Sequence, residues 1–181
     1  MANRTRDINY YYPKAENTGY DLVLSNKRFS VLNQLKFKSI LDVGSGCCNL
    51  HKWLKYNNYD VIYHAVDIRT DALALCNCQT FTEIPNNKYD IVCLYGTVTY
   101  NINENIQDNK EILKKLLEQS KKVTNKYILF TVIKQENIKG LSLLQLVSYA
   151  KNEIKEIASS VGSCRIDETT HPDEYIVICE I

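Results

Sequence analysis

Residues Ile40–Leu50 read ILDVGSGCCNL. A short apolar stretch carrying Asp42 runs into two glycines one residue apart, Gly44 and Gly46, and then into Cys47 and Cys48. This spacing predicts a buried strand that ends in a glycine turn and opens a helix. Glycine lets the backbone take positive φ and come close to a ligand. The helix N-terminus behind it presents free N–H groups. In an open parallel sheet, ligands bind beyond the carboxyl ends of the strands. Gly44, Ser45 and Gly46 are therefore candidate ligand-binding residues.

Outward from this turn the chain alternates between strand and helix patterns. Asp21–Leu35 has helical spacing, with Leu22, Phe29, Leu32 and Leu35 on one face. Strands are expected at Lys38–Val43, Asp60–Asp67, Tyr89–Tyr95 and Lys126–Ile133, with a weak one in Cys78–Ile84. Short helices are expected at Asn49–Asn57 and Thr70–Cys76, and longer ones at Asp108–Val123 and Ser142–Ser159. Two strands in succession, Ser163–Glu168 and Asp173–Ile181, suggest a closing hairpin across a short HPDE turn. Alternation with near-continuous apolar strands implies right-handed crossovers and a sheet buried on both faces. The expectation is an α/β, Rossmann-like, mostly parallel sheet flanked by helices, with an antiparallel C-terminal hairpin.

The length, 181 residues, suits one domain spanning 1–181, with 1–20 as an N-terminal arm or lid. The three prolines, Pro13, Pro85 and Pro172, each fall in an expected loop. A net charge of +1 gives no global basic field to advertise nucleic-acid binding. No apolar run is long enough for a membrane span, and MANRTRDINYYY lacks the apolar core of a secretory signal. Seven cysteines without such a signal read as reduced thiols in a cytoplasmic compartment. Cys93 and Cys179 sit in apolar runs and read as core. With no CxxC, and with His51, His64 and His171 far apart, no metal site is expected.

A second acid strengthens the ligand reading. Asp67 closes the next strand in HAVDIRTD, where a carboxylate can accept hydrogen bonds from both hydroxyls of a ribose. Its other role would be to cap the following helix. A dinucleotide fingerprint would place a third glycine at position 49, where Asn49 stands. Asp42 would repel a pyrophosphate but suits a cationic amino acid.

LDVGSGCCNL, AVDIRTDAL and KYDIVCLYGTVTY together resemble the class I S-adenosylmethionine-dependent methyltransferases. The resemblance runs from Ser39 to Ile181. It implies S-adenosylmethionine as cofactor, with Asp42, Gly44, Ser45 and Gly46 at its methionine end. It implies Asp67 at the ribose hydroxyls and Ile68 beside the adenine. Thr80 and Phe81 would lie near the adenine, and Leu94 and Tyr95 would line the methionine side. One departure is Cys48, where family members often carry glycine. It bears on cofactor affinity more than on fold.

Methyl transfer from a sulfonium is an in-line displacement, for which the protein supplies alignment and a desolvated pocket. The Asn/Asp-Pro-Pro-Tyr run of DNA-adenine and glutamine methyltransferases is absent; LYGTVTY stands in its place. Lys27, Lys134 and Glu174 resemble in position three members of the Lys-Asp-Lys-Glu set of RNA ribose 2′-O-methyltransferases, without the central acid. They are the catalytic candidates, although lysines at such places are often simply solvated. In INYYYPKAENTGYD, Tyr10, Tyr11 and Tyr12 would close over an acceptor or pack as an ordinary arm. Tyr11, Tyr12 and Tyr100 are the candidate substrate-binding residues. His171 is a possible base, or a solvated loop histidine. The expected function is methyl transfer to a small molecule. The alternatives are an RNA cap or ribose methyltransferase and a non-catalytic cofactor-binding or scaffold protein; a nicotinamide enzyme is more distant. The oligomeric state is not legible.

Overall fold

The computed structural model describes residues 22–99, 105–137 and 146–181. Its strands are β1 (Ser39–Val43), β2 (Ile62–Val66), β3 (Gln79–Phe81), β4 (Tyr89–Leu94), β5 (Thr124–Lys134), β6 (Ser148–Tyr149), β7 (Ser163–Asp167) and β8 (Glu174–Glu180). The helices are α1 (Leu22–Phe29), α2 (Asn49–Tyr56), α3 (Thr70–Leu73), α4 (Ile106–Val123) and α5 (Lys151–Ser159). The sheet order is β3-β2-β1-β4-β5-β8-β7, with β6 pairing β5 off this path. β8 runs antiparallel to both β5 and β7; the other pairings are parallel. This is the expected Rossmann-like sheet with its antiparallel C-terminal hairpin. Strand order reverses between β1 and β4, next to Val43 and Leu94, and in open α/β sheets ligands bind at such a switch point.

Side chains alternate across the sheet. Leu41, Val43, Val92, Leu94, Ile128 and Phe130 face one way and pack with Leu113 and Leu117 of α4 and Ile154 and Ile157 of α5. Ile40, Ile91, Cys93 and Leu129 face the other way, toward Phe29 of α1 and Leu50 and Leu54 of α2. Full burial of each such side chain contributes about 1.5–3 kcal/mol. Asp42 shares the parity of Ile40, so the alternation that builds the core also buries a carboxylate under α2.

The structure departs from the sequence reading in four places. The Asp21–Leu35 helix is α-helical only to Phe29 and tightens into a 3₁₀ turn over Ser30–Gln34. The expected Thr70–Cys76 helix stops at Leu73. The expected Ser142–Ser159 helix starts only at Lys151, since Ser148 and Tyr149 pair with Ile133 and Lys134 of β5. There the Glu153 carboxylate accepts the Ala150 N–H at 2.8 Å and fixes the helix start. Finally, the cysteines are not all thiols: Cys48 is bonded to Cys76 and Cys164 to Cys179. The second bond joins register partners on β7 and β8, whose pairing brings their Cα atoms to 4.0 Å. No helix among the described residues is long and apolar enough to cross a membrane.

Candidate active site

The turn after β1 is held from three sides. The N–H groups of Gly44 and Ser45 donate to the Val66 carbonyl at 2.7 and 3.1 Å, locking the turn to the end of β2. Gly46 N–H donates to Asp67 Oδ2 at 2.8 Å. Thr97, in the loop after β4, donates its hydroxyl to the Val43 carbonyl at 2.6 Å. Gly44 has φ of +74°, and a Cβ there would lie 2.6 Å from Thr97 Cγ2. Only glycine satisfies both the backbone angle and that approach. The third position of the motif, Cys48, also takes the left-handed conformation, at φ 58° and ψ 44°.

Asp67 therefore does more than sit beside α3. One carboxylate oxygen braces the glycine turn, and the other accepts the Arg69 N–H at 2.9 Å. Its own N–H donates to the Phe81 carbonyl at 3.2 Å, so β1, β2 and β3 end together at this residue. Beside it Ile68 stands 75 % exposed, an apolar surface at a polar strand end. Thr80 is exposed and Phe81 half-buried. Both line an open groove with Thr70, Leu73 and Glu83.

Asp42 is buried, and its carboxyl accepts a hydrogen bond from the Tyr63 hydroxyl at 2.5 Å. Burial pushes its carboxyl up to about 7, and the charge of Asp67 adds to the rise. The Tyr63 hydrogen bond and the Arg28 charge pull the other way without cancelling it. The site thus carries an acid that a nearby cation would ionise. Leu94 and Tyr95 are buried at the end of β4. The register Asp42↔Cys93, carried two residues on, sets Tyr95 beside Gly44. The Ser45 and Tyr95 hydroxyls are both buried without a hydrogen-bonding partner. The Cys93 thiol, two residues back on the Tyr95 side, is a weak polar neighbour, and burial followed by the Cys93 and Asp42 charges holds the Tyr95 phenol well above its usual range. A buried polar group left unpaired costs about 1–3 kcal/mol. Two of them flanking one glycine turn, with a carboxylate below, form a cradle of the right chemistry for a cationic amino-acid group.

Next to this cradle lies a second polar cluster. Arg28 of α1 grips Glu174 of β8 with two hydrogen bonds, at 2.9 and 2.5 Å, and both side chains are almost fully buried. Lys134, at the end of β5, is buried too. Its ammonium donates to the carbonyls of Glu168, His171 and Pro172 at 2.8, 3.0 and 3.0 Å. His171 is 1 % exposed, not a solvated loop residue. Its Nδ1 accepts the Asp173 N–H at 3.2 Å, and Nε2 is buried without a partner. Burial lowers its pKa, so the ring is neutral with the proton on Nε2.

Of the catalytic candidates, the sheet brings Lys134 and Glu174 into one cluster; Lys27 stands exposed on α1. Its neighbour Arg28 makes the contact with Glu174 instead. Tyr10, Tyr11, Tyr12 and Tyr100 lie outside the described residues. Sequence reasoning missed Arg28, Tyr63 and Thr97. A basic residue on an apolar helix face is a signal for the first. The other two emerge only from strand pairing, which sets Tyr63 one pleat below the partner of Asp42.

No protein-family model matches the chain, and no curated protein does. Solved structures do. An O-methyltransferase-like protein from Nostoc punctiforme superposes with a TM-score of 0.67 at 11% identity, over 88% of this chain. The chain spans only 57% of that protein's length. A SAM-dependent methyltransferase from Archaeoglobus fulgidus gives 0.67 at 16% identity, covering 95% of this chain and 100% of the other. Magnesium protoporphyrin IX methyltransferase from Synechocystis, solved with bound SAH, gives 0.63 at 13% identity, covering 87% and 84%. The strand order, the glycine turn and these superpositions agree: the chain has the Rossmann-like fold of the class I S-adenosylmethionine-dependent methyltransferases.

Proposed function

We propose that this chain is an S-adenosylmethionine-dependent methyltransferase acting on a small acceptor. The observation that carries the reading is the cradle at the end of β1. Buried Asp42, the unpartnered Ser45 hydroxyl and the Tyr95 hydroxyl, with the weakly polar Cys93 thiol beside it, flank a turn that only glycine can make. These groups suit the ammonium and carboxylate of a methionine end, with Asp42 ionising against the cation. Asp67, at the end of β2, would accept hydrogen bonds from the ribose hydroxyls, and exposed Ile68 would offer its apolar surface to a purine. Thr80 and Phe81 extend that surface along the groove.

S-adenosylmethionine supplies an electrophilic methyl group on a sulfonium. The protein's part is to hold donor and acceptor in line and to exclude water. Phe29 of α1 packs against Tyr95, with ring centroids 5.4 Å apart, and so helps fix that ring in place. The cluster of Arg28, Glu174 and Lys134 has its charges committed to protein partners, which favours a positioning role over proton transfer. That arrangement also weighs against the ribose reading, which needs a free lysine and acid. Small acceptors fit a described fold that adds little beyond the sheet and its helices.

The test is calorimetric titration with S-adenosylmethionine, its demethylated product and NADH, using Asp67→Ala as control. Micromolar binding of the first two, weakened in the variant, with none of NADH, supports the reading and justifies screening small acceptors. Failure of both sulfur ligands to bind would remove the methyltransferase proposal and leave the fold.

A further inference from the structure

We propose that Cys48, Cys76 and Cys78 form a three-thiolate site for a thiophilic d¹⁰ cation, Zn²⁺ or Cu⁺, open when the Cys48–Cys76 bond is reduced. Their sulfur atoms all lie within 4.8 Å of one another. Cys48 Sγ and Cys78 Sγ are 3.9 Å apart, too far to be bonded and close enough to share an ion. Thiolates around one such cation, each at about 2.3 Å, are separated by roughly 3.8–4.0 Å. Among the described residues this is the one group of three or more potential ligand side chains so gathered. A disulfide between two of the three explains the pair but leaves Cys78 beside it without a task.

The ligands come from two segments, Cys48 from the start of α2 and the other two from the connection between α3 and β3. Cys48 is buried, whereas Cys76 and Cys78 are half-exposed, so an ion can enter from their side.

The chemistry balances. A phosphine gives two electrons to the Cys48–Cys76 bond and leaves as its oxide, taking the oxygen of a water whose two protons go to the sulfurs; two reductant thiols do the same by becoming a disulfide and giving up their own two protons. The three thiols then release three protons as the cation binds. Zn²⁺ would take a fourth ligand from water; Cu⁺ is satisfied by three thiolates. Bond and ion are mutually exclusive. Either one ties the cofactor turn to the α3–β3 connection, and the site stands whether or not the chain transfers methyl groups.

The experiment uses the full chain, reduced with a phosphine, freed of reductant without air and titrated with Cd²⁺, as a spectroscopic stand-in for Zn²⁺, and with Cu⁺. One equivalent should bind with thiolate-to-metal charge-transfer absorption and release of protons. X-ray absorption should count three sulfur neighbours. Cys78→Ser keeps the Cys48–Cys76 pair and should weaken binding about 100-fold, while Cys47→Ser and Cys93→Ser should not change it. Protein oxidised with diamide should bind none. The proposal is overturned if the reduced chain binds no stoichiometric ion, if Cys78→Ser binds as the parent does, or if the oxidised protein binds equally well. Melting curves of the metal-free variants separate a lost ligand from a lost fold.

Discussion

The two polar clusters at the carboxyl end of this sheet are built by opposite rules. Around Glu174 the charges are saturated. Arg28 answers both carboxylate oxygens, and three carbonyls answer the Lys134 ammonium, although the uncharged His171 ring beside them keeps a buried Nε2 without a partner. Around Gly44 they are not. Among the described residues Asp42 is answered by a single phenol, and the Ser45 and Tyr95 hydroxyls have no partner. Both clusters are buried, so both meet the same desolvation penalty. The saturated one offsets it within the protein. The open one leaves it standing, and a ligand can recover it. On the proposed function one cluster is scaffold and the other the binding site, and substitutions should divide in the same way: stability lost on one side, binding on the other.

The largest effect is expected in the scaffold. Glu174→Leu removes the carboxylate that takes two hydrogen bonds from the buried Arg28 guanidinium, at a cost of about 3–5 kcal/mol in denaturant unfolding. Arg28→Met combined with Glu174→Leu removes both charges and should recover most of that loss. If the double variant is as unstable as the single one, the pair is not a self-contained scaffold element and the comparison fails. Cofactor affinity of the double variant should stay within a few-fold of the parent.

Next comes Gly44→Ala. The added methyl group would meet Thr97, and φ of +74° adds strain whatever the space. Calorimetry should show cofactor binding weakened by at least about 100-fold, roughly 2.7 kcal/mol. Combining it with Thr97→Ala relieves the clash but not the angle, so recovery should be partial. Full recovery would mean that the contact, not the backbone, dictates glycine here.

Much of this contrast is legible in the sequence, and the part that is not has a physical reason. The glycine turn, Asp42 and Asp67 are local signals, a strand end followed by special backbone or a lone acid. The sheet order follows from alternation and handedness. Sequence position alone pairs Glu174 with Lys27 as readily as with Arg28, because the two basic residues are adjacent on α1. Which one faces inward depends on how a helix rolls against the sheet. Apolar spacing in Ser142–Ser159 suits a helix, yet Ser148 and Tyr149 are extended, and Glu153 sets the helix start by a contact that spacing does not show. The disulfides join residues 28 and 15 positions apart through pairings that only the fold creates.

Asp42 gives the third prediction, through pH. Its pKa in the folded chain is about 7 and in an unfolded chain about 3.8. Between those values the native state holds a proton that the unfolded state has lost. Stability from this group is therefore fully present below pH 3.8 and is lost as pH rises through 7. The gap between the two values corresponds to a stability difference on the order of 4 kcal/mol. Asp42→Asn cannot titrate, so its stability relative to the parent should climb from about pH 4 to about pH 7 and then level off. Cofactor binding should run the opposite way. A cationic ligand favours the carboxylate, so parent affinity should rise as pH approaches 7, by up to about tenfold per pH unit. The asparagine variant should show no such slope. A flat profile in the parent would mean that the ligand never meets this carboxylate.

The smallest effect makes the sharpest test, because the two clusters predict opposite signs. A hydroxyl that is part of a saturated network stabilises the fold, and its removal costs about 1 kcal/mol. The Ser45 hydroxyl is buried and unpartnered in the free protein. Ser45→Ala should therefore leave the unliganded melting temperature unchanged or slightly higher, because it removes a group that is desolvated for no return. With cofactor bound, the same hydroxyl has a partner to gain, and the variant should bind about 5–10-fold more weakly, near 1–1.4 kcal/mol. Thermal unfolding with and without S-adenosylmethionine reads both signs in one experiment. A variant that loses stability without the ligand and no affinity with it would show that Ser45 is paired in solution. The glycine turn would then belong to the scaffold, and the distinction between the clusters would rest on Asp42 and Tyr95 alone.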